Sequence, residues 1–329
     1  MSTFSIYKLN PKYIREQILS KLTWSVKYLF DAWPENEFKS STIDANKFLS
    51  RISSGDVDGC DFIVHHSLLK SLMNDNFEVG KRILKYGANR KLHSRNRILR
   101  YSKKDLGSDK SWYERLLLLS DEINSNLKLE KPPLIEYQRS LEWMSITRKL
   151  LKASSPIANL EIKKLKPTII LARTSQYSPI KFGGYSSSLA WSTIILNSEC
   201  KTLVNFLVQV IHELGHQLLF ALTTDTPLAF NNPEELYESP IRKDNRPMDG
   251  IIHACFVSAR VFEVLNLIKQ NKFHQNFTSN EQAQIDNHCI SATIAVEKAL
   301  MVIKDSACLS ALGERVILAS ENTINIRRG

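Results

Sequence analysis

The stretch Val210-Ile211-His212-Glu213-Leu214-Gly215-His216 constrains this chain more than any other. It lies in an apolar run that reads as a helix from about Cys200 to Leu222. Residues four apart on a helix share one face, one turn apart, so His212 and His216 can offer two imidazoles to one metal ion. Leu207, Val208, Ile211, Leu218 and Leu219 supply the core-facing side. With 8 His and 20 Glu in 329 residues, HExxH arises by composition roughly once in a hundred such chains. Two histidines on an apolar helix are also costly to bury without partners. The pattern therefore reads as a metal site.

Two imidazoles do not complete such a site, and a third donor must come from elsewhere. One group of candidates is the acid cluster Glu234, Glu235 and Glu238. The other is His253, at the start of a further apolar helix from about Asp249 to Gln270. Just before it, Arg242 and Arg246 stand in a loop bounded by Pro240 and Pro247. Either arginine could hold a carboxylate bidentately beside a metal, and Arg246 is favoured because Pro247 fixes its exit into the helix. Pairing with Asp244 or Asp249 is the plain structural alternative.

Composition places the rest. Hydrophobic residues at 43% and charged residues at 24% exclude disordered and fibrous classes. Five cysteines with no CxxC pair suit a reducing compartment. No apolar signal segment opens the sequence, and the run from Val204 to Leu222 carries too many polar groups for a good membrane span. A cytoplasmic protein with no membrane partner is expected. The net charge of +10 falls entirely in residues 1–164, with 29 Lys and Arg against 19 Asp and Glu. Its densest run, Lys81 to Lys104, holds ten basic residues and no acid: Lys81, Arg82, Lys85, Arg90, Lys91, Arg95, Arg97, Arg100, Lys103 and Lys104. A solvated helical face or an anchor for an acidic peptide comes before nucleic acid, because regular aromatic interleaving for base stacking is missing.

Along the chain, the first 130 residues read as short helices, among them Pro11 to Leu29 and Leu68 to Tyr86, the latter closed by Gly87. Lys131-Pro132-Pro133 marks a boundary between a basic helical region, 1–130, and a catalytic domain, 131–329. A helix from Leu134 to Ala153 follows. Thr168 to Ala172 and Ser192 to Leu196 read as strands around a turn-like segment, 183–188, and a further helix runs from about Asn280 to Lys304. The expected class is α+β, mostly helical, with a small sheet before the long HExxH helix in a zincin-like local arrangement. His65, His66 and His93 read as surface residues, and His274 and His288 as simple polar ones.

HExxH followed by Ser239-Pro240-Ile241-Arg242-Lys243-Asp244-Asn245-Arg246-Pro247-Met248-Asp249-Gly250-Ile251-Ile252-His253 resembles the HExxH-type 2-oxoglutarate-dependent peptide β-hydroxylases associated with ribosomally made, modified peptides. The resemblance covers roughly residues 134–329 and includes Leu309-Ser310-Ala311-Leu312-Gly313-Glu314-Arg315 near the end. Ile241 stands where an aromatic is expected. The resemblance implies Fe(II) held by His212, His216 and His253, with 2-oxoglutarate and O₂ as co-substrates. It implies oxidative decarboxylation coupled to hydroxylation of a precursor peptide, with the basic first half as a candidate holder of that peptide. Glu213 would orient a ligand or water. This departs from the commoner triad of two His and one carboxylate. The competing reading is a zinc metallopeptidase, in which Glu213 is the general base and Glu235 or Glu238 completes the zinc shell.

Overall fold

The computed structural model of the chain describes residues 11–92, 98–119, 127–271 and 273–325. The elements run α1 (Pro11–Asp31), α2 (Glu35–Phe38), α3 (Thr42–Ser53), α4 (Gly59–Met73), α5 (Phe77–Asn89), β1 (Ile98–Arg100), α6 (Lys103–Leu106), α7 (Asp109–Leu119) and β2 (Leu129–Glu130). Then come α8 (Leu134–Ser154), α9 (Pro156–Leu165), β3 (Thr168–Thr174), β4 (Gly184–Tyr185), β5 (Thr193–Asn197), α10 (Leu203–Leu222), α11 (Met248–Gln270), α12 (Ser279–Ser306) and α13 (Ala311–Asn325). The chain is mostly helical, at 68%, with a small mixed sheet of five strands. Contacts divide the described residues into two interleaved units, one within Lys12–Tyr137 and Lys164–Glu199, the other within Gln138–Lys163 and Cys200–Gly329. The strands from Thr168 to Asn197 thus group with the residues before 137.

In the first unit, β1 and β5 flank β3 in parallel, β4 closes one edge antiparallel to β5, and β2 pairs antiparallel with the end of β3. The β3 sequence TIILART is buried at six of seven positions, as a central parallel strand with both faces covered should be. Gly59, first residue of α4, is required by close approach, since a Cβ there would stand 1.8 Å from Thr193 Oγ1. Two expectations are corrected here. The periodic stretch from Leu68 to Tyr86 is two helices, broken at Asn74-Asp75-Asn76. Asp75 takes a left-handed φ of 51°, and the Asn76 side chain caps α5 by accepting from the Val79 amide. Gly87 does not end a helix; it lies inside α5, where a Cβ would meet Val64 at 2.8 Å.

The basic run is not one solvated face. The Arg90 guanidinium is fully buried among Asp58, Asp61 and Asp109, bonded at 2.8 Å, 3.0 Å and 2.5 Å. Asp61 also takes Arg51 at 2.6 Å, and Asp109 accepts the Tyr86 hydroxyl. Burial holds the Asp61 carboxyl up at about 6 despite both guanidiniums. Arg100 bonds the Pro132 carbonyl, and Lys81 pairs with Glu37 and Glu78. Arg95, Arg97 and His93 lie outside the described residues. His65 and His66 are half-buried rather than surface residues. His65 Nε2 meets Ser25 Oγ at 2.8 Å, and burial, with help from His66, takes its imidazole down to about 4.

In the second unit, α11 packs against α10, α12 and α13 around Ile251, Ile252, Cys255, Phe256 and Val257, all essentially without exposure. By length and composition α11 could cross a membrane, yet here it is a mostly buried core helix. It also carries Arg260, buried between Glu161 (2.6 Å) and Glu263 (3.0 Å). Gly215, within HExxH, lets α10 approach α11, since a Cβ would already stand 3.2 Å from Val257.

Candidate metal centre

Thr202 starts α10 by accepting the Asn205 amide at its side chain, so the helix begins at Leu203 and phases His212 and His216 onto one face. Pro247 ends the preceding loop and α11 starts at Met248, which puts His253 in its second turn. The three histidines meet. His212 Nε2 and His216 Nε2 are 3.2 Å apart, and His216 Nδ1 and His253 Nδ1 are 3.3 Å apart. Phe220, one turn beyond His216, stacks on it at 5.9 Å between ring centres and tilts against His253 at 5.4 Å.

The electrostatics keep all three rings neutral. Burial takes His212 down to about 4, with Arg242 adding repulsion. Burial also takes His216 well below the ordinary imidazole value, with His212, His253 and Arg242 acting the same way. His253 falls to about 4 by burial alone. A neutral imidazole is the form that ligates a metal. Two nitrogens on a first-row ion, each about 2.1 Å from it, stand roughly 3 Å apart, so the His212–His216 separation already suits a chelate. His253 does not yet join them. It faces Nδ1 of His216, whereas His212 faces Nε2, and the two lone pairs of one ring diverge. Among the described residues no three donors converge on a single point at metal-ligand spacing. The triad is a hydrogen-bonded row, His216 donating at one nitrogen and accepting at the other. Turning the His253 ring, and with it the Nδ1 contact, is the rearrangement a three-histidine centre requires. In chemistry the donor set fits Fe(II) or Zn(II): three neutral nitrogens with no positive charge among them.

The other candidates separate. Glu234, Glu235 and Glu238 are all exposed, and Glu235 accepts the Tyr237 hydroxyl at 2.6 Å. The groups whose charge bears on His212 and His216 are the neighbouring histidines and Arg242. Arg242 is exposed, its amide bonded to Ser239 Oγ at 3.0 Å. Arg246 is half-buried, pairs with Asp244 at 2.7 Å, and exchanges backbone hydrogen bonds of 2.8 Å with Tyr237. As a carboxylate clamp Arg246 would have to share its guanidinium with Asp244. Glu213 is 3% exposed, buried within α10 beside the first ligand candidate. His288 holds Asn205 Oδ1 at 2.9 Å, a link between α12 and α10.

The sequence points to neither Phe220 nor Asp225, and to Asp249 only as a pairing partner for an arginine. Phe220 follows His216 by four residues and Asp249 precedes His253 by four, so helical spacing alone was the available signal for both. Asp225 and Asp249 line a cleft that His253 also borders. The terminal Leu309-Ser310-Ala311-Leu312-Gly313 stretch holds that cleft's loop. Ser310 donates from its amide to the Leu228 carbonyl (3.0 Å) and from Oγ to that of Pro227 (2.6 Å), and at Gly313 a Cβ would stand 2.0 Å from the Leu228 oxygen. No family model matches the chain, and no curated protein matches it.

Proposed function

We propose that this chain is a non-haem Fe(II)- and 2-oxoglutarate-dependent oxygenase, acting in the cytoplasm, that β-hydroxylates a residue of a ribosomally made precursor peptide. The observation that carries the reading is the third histidine: His253 comes within 3.3 Å of His216, while Glu234, Glu235 and Glu238 stay in solvent. A histidine-only donor set is what the motif resemblance implies, whereas the peptidase reading weighed from the sequence takes its third donor from Glu235 or Glu238. The same reading takes α10 as the metal-binding helix of a zincin-like arrangement.

His212, His216 and His253 would hold the ion. Iron with 2-oxoglutarate supplies O₂ activation, with the oxoacid decarboxylated to succinate. The chain's own residues prepare that chemistry. Burial keeps the three imidazoles unprotonated at neutral pH. Arg242 places a positive charge that opposes imidazolium and attracts the far carboxylate of a dicarboxylate, which its planar fork can grip bidentately. The Arg246–Asp244 pair and the Tyr237 bridge fix the shape of the loop that carries Arg242. Phe220 packs on His216 and His253 and limits water there. Glu213, buried on α10, orients and has no hydrolytic proton to remove.

Anaerobic loading of the full chain with Fe(II), then O₂ and 2-oxoglutarate, should release succinate above a metal-free control. The Glu213→Gln variant should retain measurable turnover. A metallopeptidase would lose activity by roughly 10²–10⁴-fold on removal of its general base. No succinate from iron-loaded protein, with zinc-dependent peptide cleavage lost in Glu213→Gln, would overturn the oxygenase reading.

A further inference from the structure

The segment leaving α10 and the first two turns of α11 border an open cleft of about 330 Å³, lined by residues 223–228, Asp249 and His253, with both aspartates at exposed positions. Its chemistry is one-sided. Thr223 Oγ1 donates to the Leu219 carbonyl at 3.0 Å, and Thr224 Oγ1 to that of Ala221 at 3.1 Å. The Thr223 hydroxyl has thereby spent its hydrogen and keeps lone pairs to offer. Asp249 and Asp225, the latter already partnered, add two carboxylates, and among the described residues no Lys or Arg is part of the lining. Asp249 makes no hydrogen bond or ion pair among the described residues, and its carboxyl is pushed up by partial removal from water. It stands one helical turn before His253, on the same face. His253 itself is largely withdrawn from water and has Nδ1 committed to His216.

We infer that this cleft takes the cationic side chain of a lysine or arginine in the peptide, held against Asp249 with Asp225 lining the same space. An acceptor-lined space rejects a dicarboxylate and rewards a donor carrying positive charge. Arg242, which would draw 2-oxoglutarate, is not part of its lining. The cation and the dicarboxylate are thus recruited by different residues near one centre. The cleft wall is held by Ser310 and Gly313 of the terminal motif, so it is a built feature of the unit. That this cation belongs to the precursor peptide rests on the oxygenase reading; the binding itself does not.

The test uses the metal-free full-length chain and three probes: Nα-acetyl-lysine amide, Nα-acetyl-arginine amide and Nα-acetyl-norleucine amide, which lacks the charge. Binding is followed by ligand-detected NMR with dissociation constants from titration. The cationic probes should bind about threefold to fivefold more tightly than norleucine amide, as for a partly exposed ion pair. The preference should weaken in high salt and fall below about twofold in Asp249→Asn. Asp225→Asn, at an exposed position, should lower it in the same direction. A preference for lysine over arginine, or the reverse, names the side chain. Equal binding of norleucine amide, or a cation preference unchanged in both folded variants, overturns the proposal. No iron or 2-oxoglutarate is in the tube, so this result stands apart from the succinate assay.

Discussion

The guanidinium of Arg90 is met by three carboxylates, while the imidazole of His216 is met by two other imidazoles. Both groups are withdrawn from water, in different units of the same chain. Around Arg90, ionised partners offset the desolvation of each charge, and the cluster is complete within the protein. Among the described residues no counter-charge acts on His216, so burial removes the proton instead, and three neutral lone-pair donors remain close together. A saturated cluster holds a fold; a neutral cluster of good ligands, bordered by a cleft, is suited to complete itself with something from outside.

The largest effect should come from breaking the neutral cluster. His253→Ala ought to weaken Fe(II) binding by more than about 10²-fold, because even partners that only orient a metal ligand are worth roughly 10–100-fold. Anaerobic Fe(II) titration measures it, and activity should vanish with the iron. His212→Ala should behave alike. If His253→Ala keeps its metal while Glu235→Ala or Glu238→Ala loses it, the third donor is a carboxylate and the contrast with the Arg90 cluster fails.

Breaking the saturated cluster should leave the metal alone and damage the fold. Arg90→Met strands Asp58, Asp61 and Asp109 in a buried site, with Arg51 on Asp61 as a remaining cation. The expected cost is about 3–5 kcal/mol, read from urea unfolding at pH 7. Lowering the pH to 5 should recover part of it, since carboxylates left without Arg90 take up protons more readily. A cost under about 1 kcal/mol would mean that these charges are not what holds α4, α5 and α7 together.

What could be read from the sequence divides along the same line. The metal-centre histidines were legible because helical spacing fixes i and i+4 onto one face, and because apolar periodicity and prolines located α10 and α11 within a few residues. The break at Asn74-Asp75-Asn76 was missed since the apolar period continues across it, and the turn is made by side-chain capping and one left-handed residue. Arg90 was counted with a solvated basic run because its counter-charges lie 19 to 32 residues away, beyond any local charge pattern. The choice between Arg242 and Arg246 turned on Asp244, a partner that the sequence offered to both. The edge His216 turns to His253 is a matter of ring rotation, which no spacing specifies.

His65 carries the neutral plan into the first unit and gives the comparison a pH test. Its folded value of about 4 lies below the ordinary 6.5, so between those limits the unfolded chain binds the extra proton. Stability must therefore be whole above about pH 6.5 and fall as the pH drops toward 4. At pH 5 this one group should account for a loss of about 2 kcal/mol relative to pH 7.5. The Arg90 cluster does not share this origin, because no neutral histidine belongs to it. In His65→Gln the slope of stability between pH 7.5 and 5 should be shallower by that amount. An unchanged slope would assign the loss to other groups.

The smallest expected effect concerns the cations that border each plan. Arg246 already has Asp244, as Arg90 has its aspartates, whereas Arg242 bears on the neutral histidines and lowers their proton affinity. Replacing Arg242 by Lys keeps the charge, hence the imidazoles' neutrality, but removes the two-pronged fork that fits a carboxylate. The 2-oxoglutarate requirement should rise about tenfold, with Fe(II) affinity little changed, since losing one good charge-assisted hydrogen bond costs on the order of 1.5 kcal/mol. Arg246→Lys can still reach Asp244, so its 2-oxoglutarate dependence should stay within about twofold of wild type. Steady-state succinate formation against 2-oxoglutarate concentration reads both. If Arg246→Lys shows the larger rise, the ion pair with Asp244 must open to admit the co-substrate, and the saturated plan would then extend to the edge of the metal centre itself.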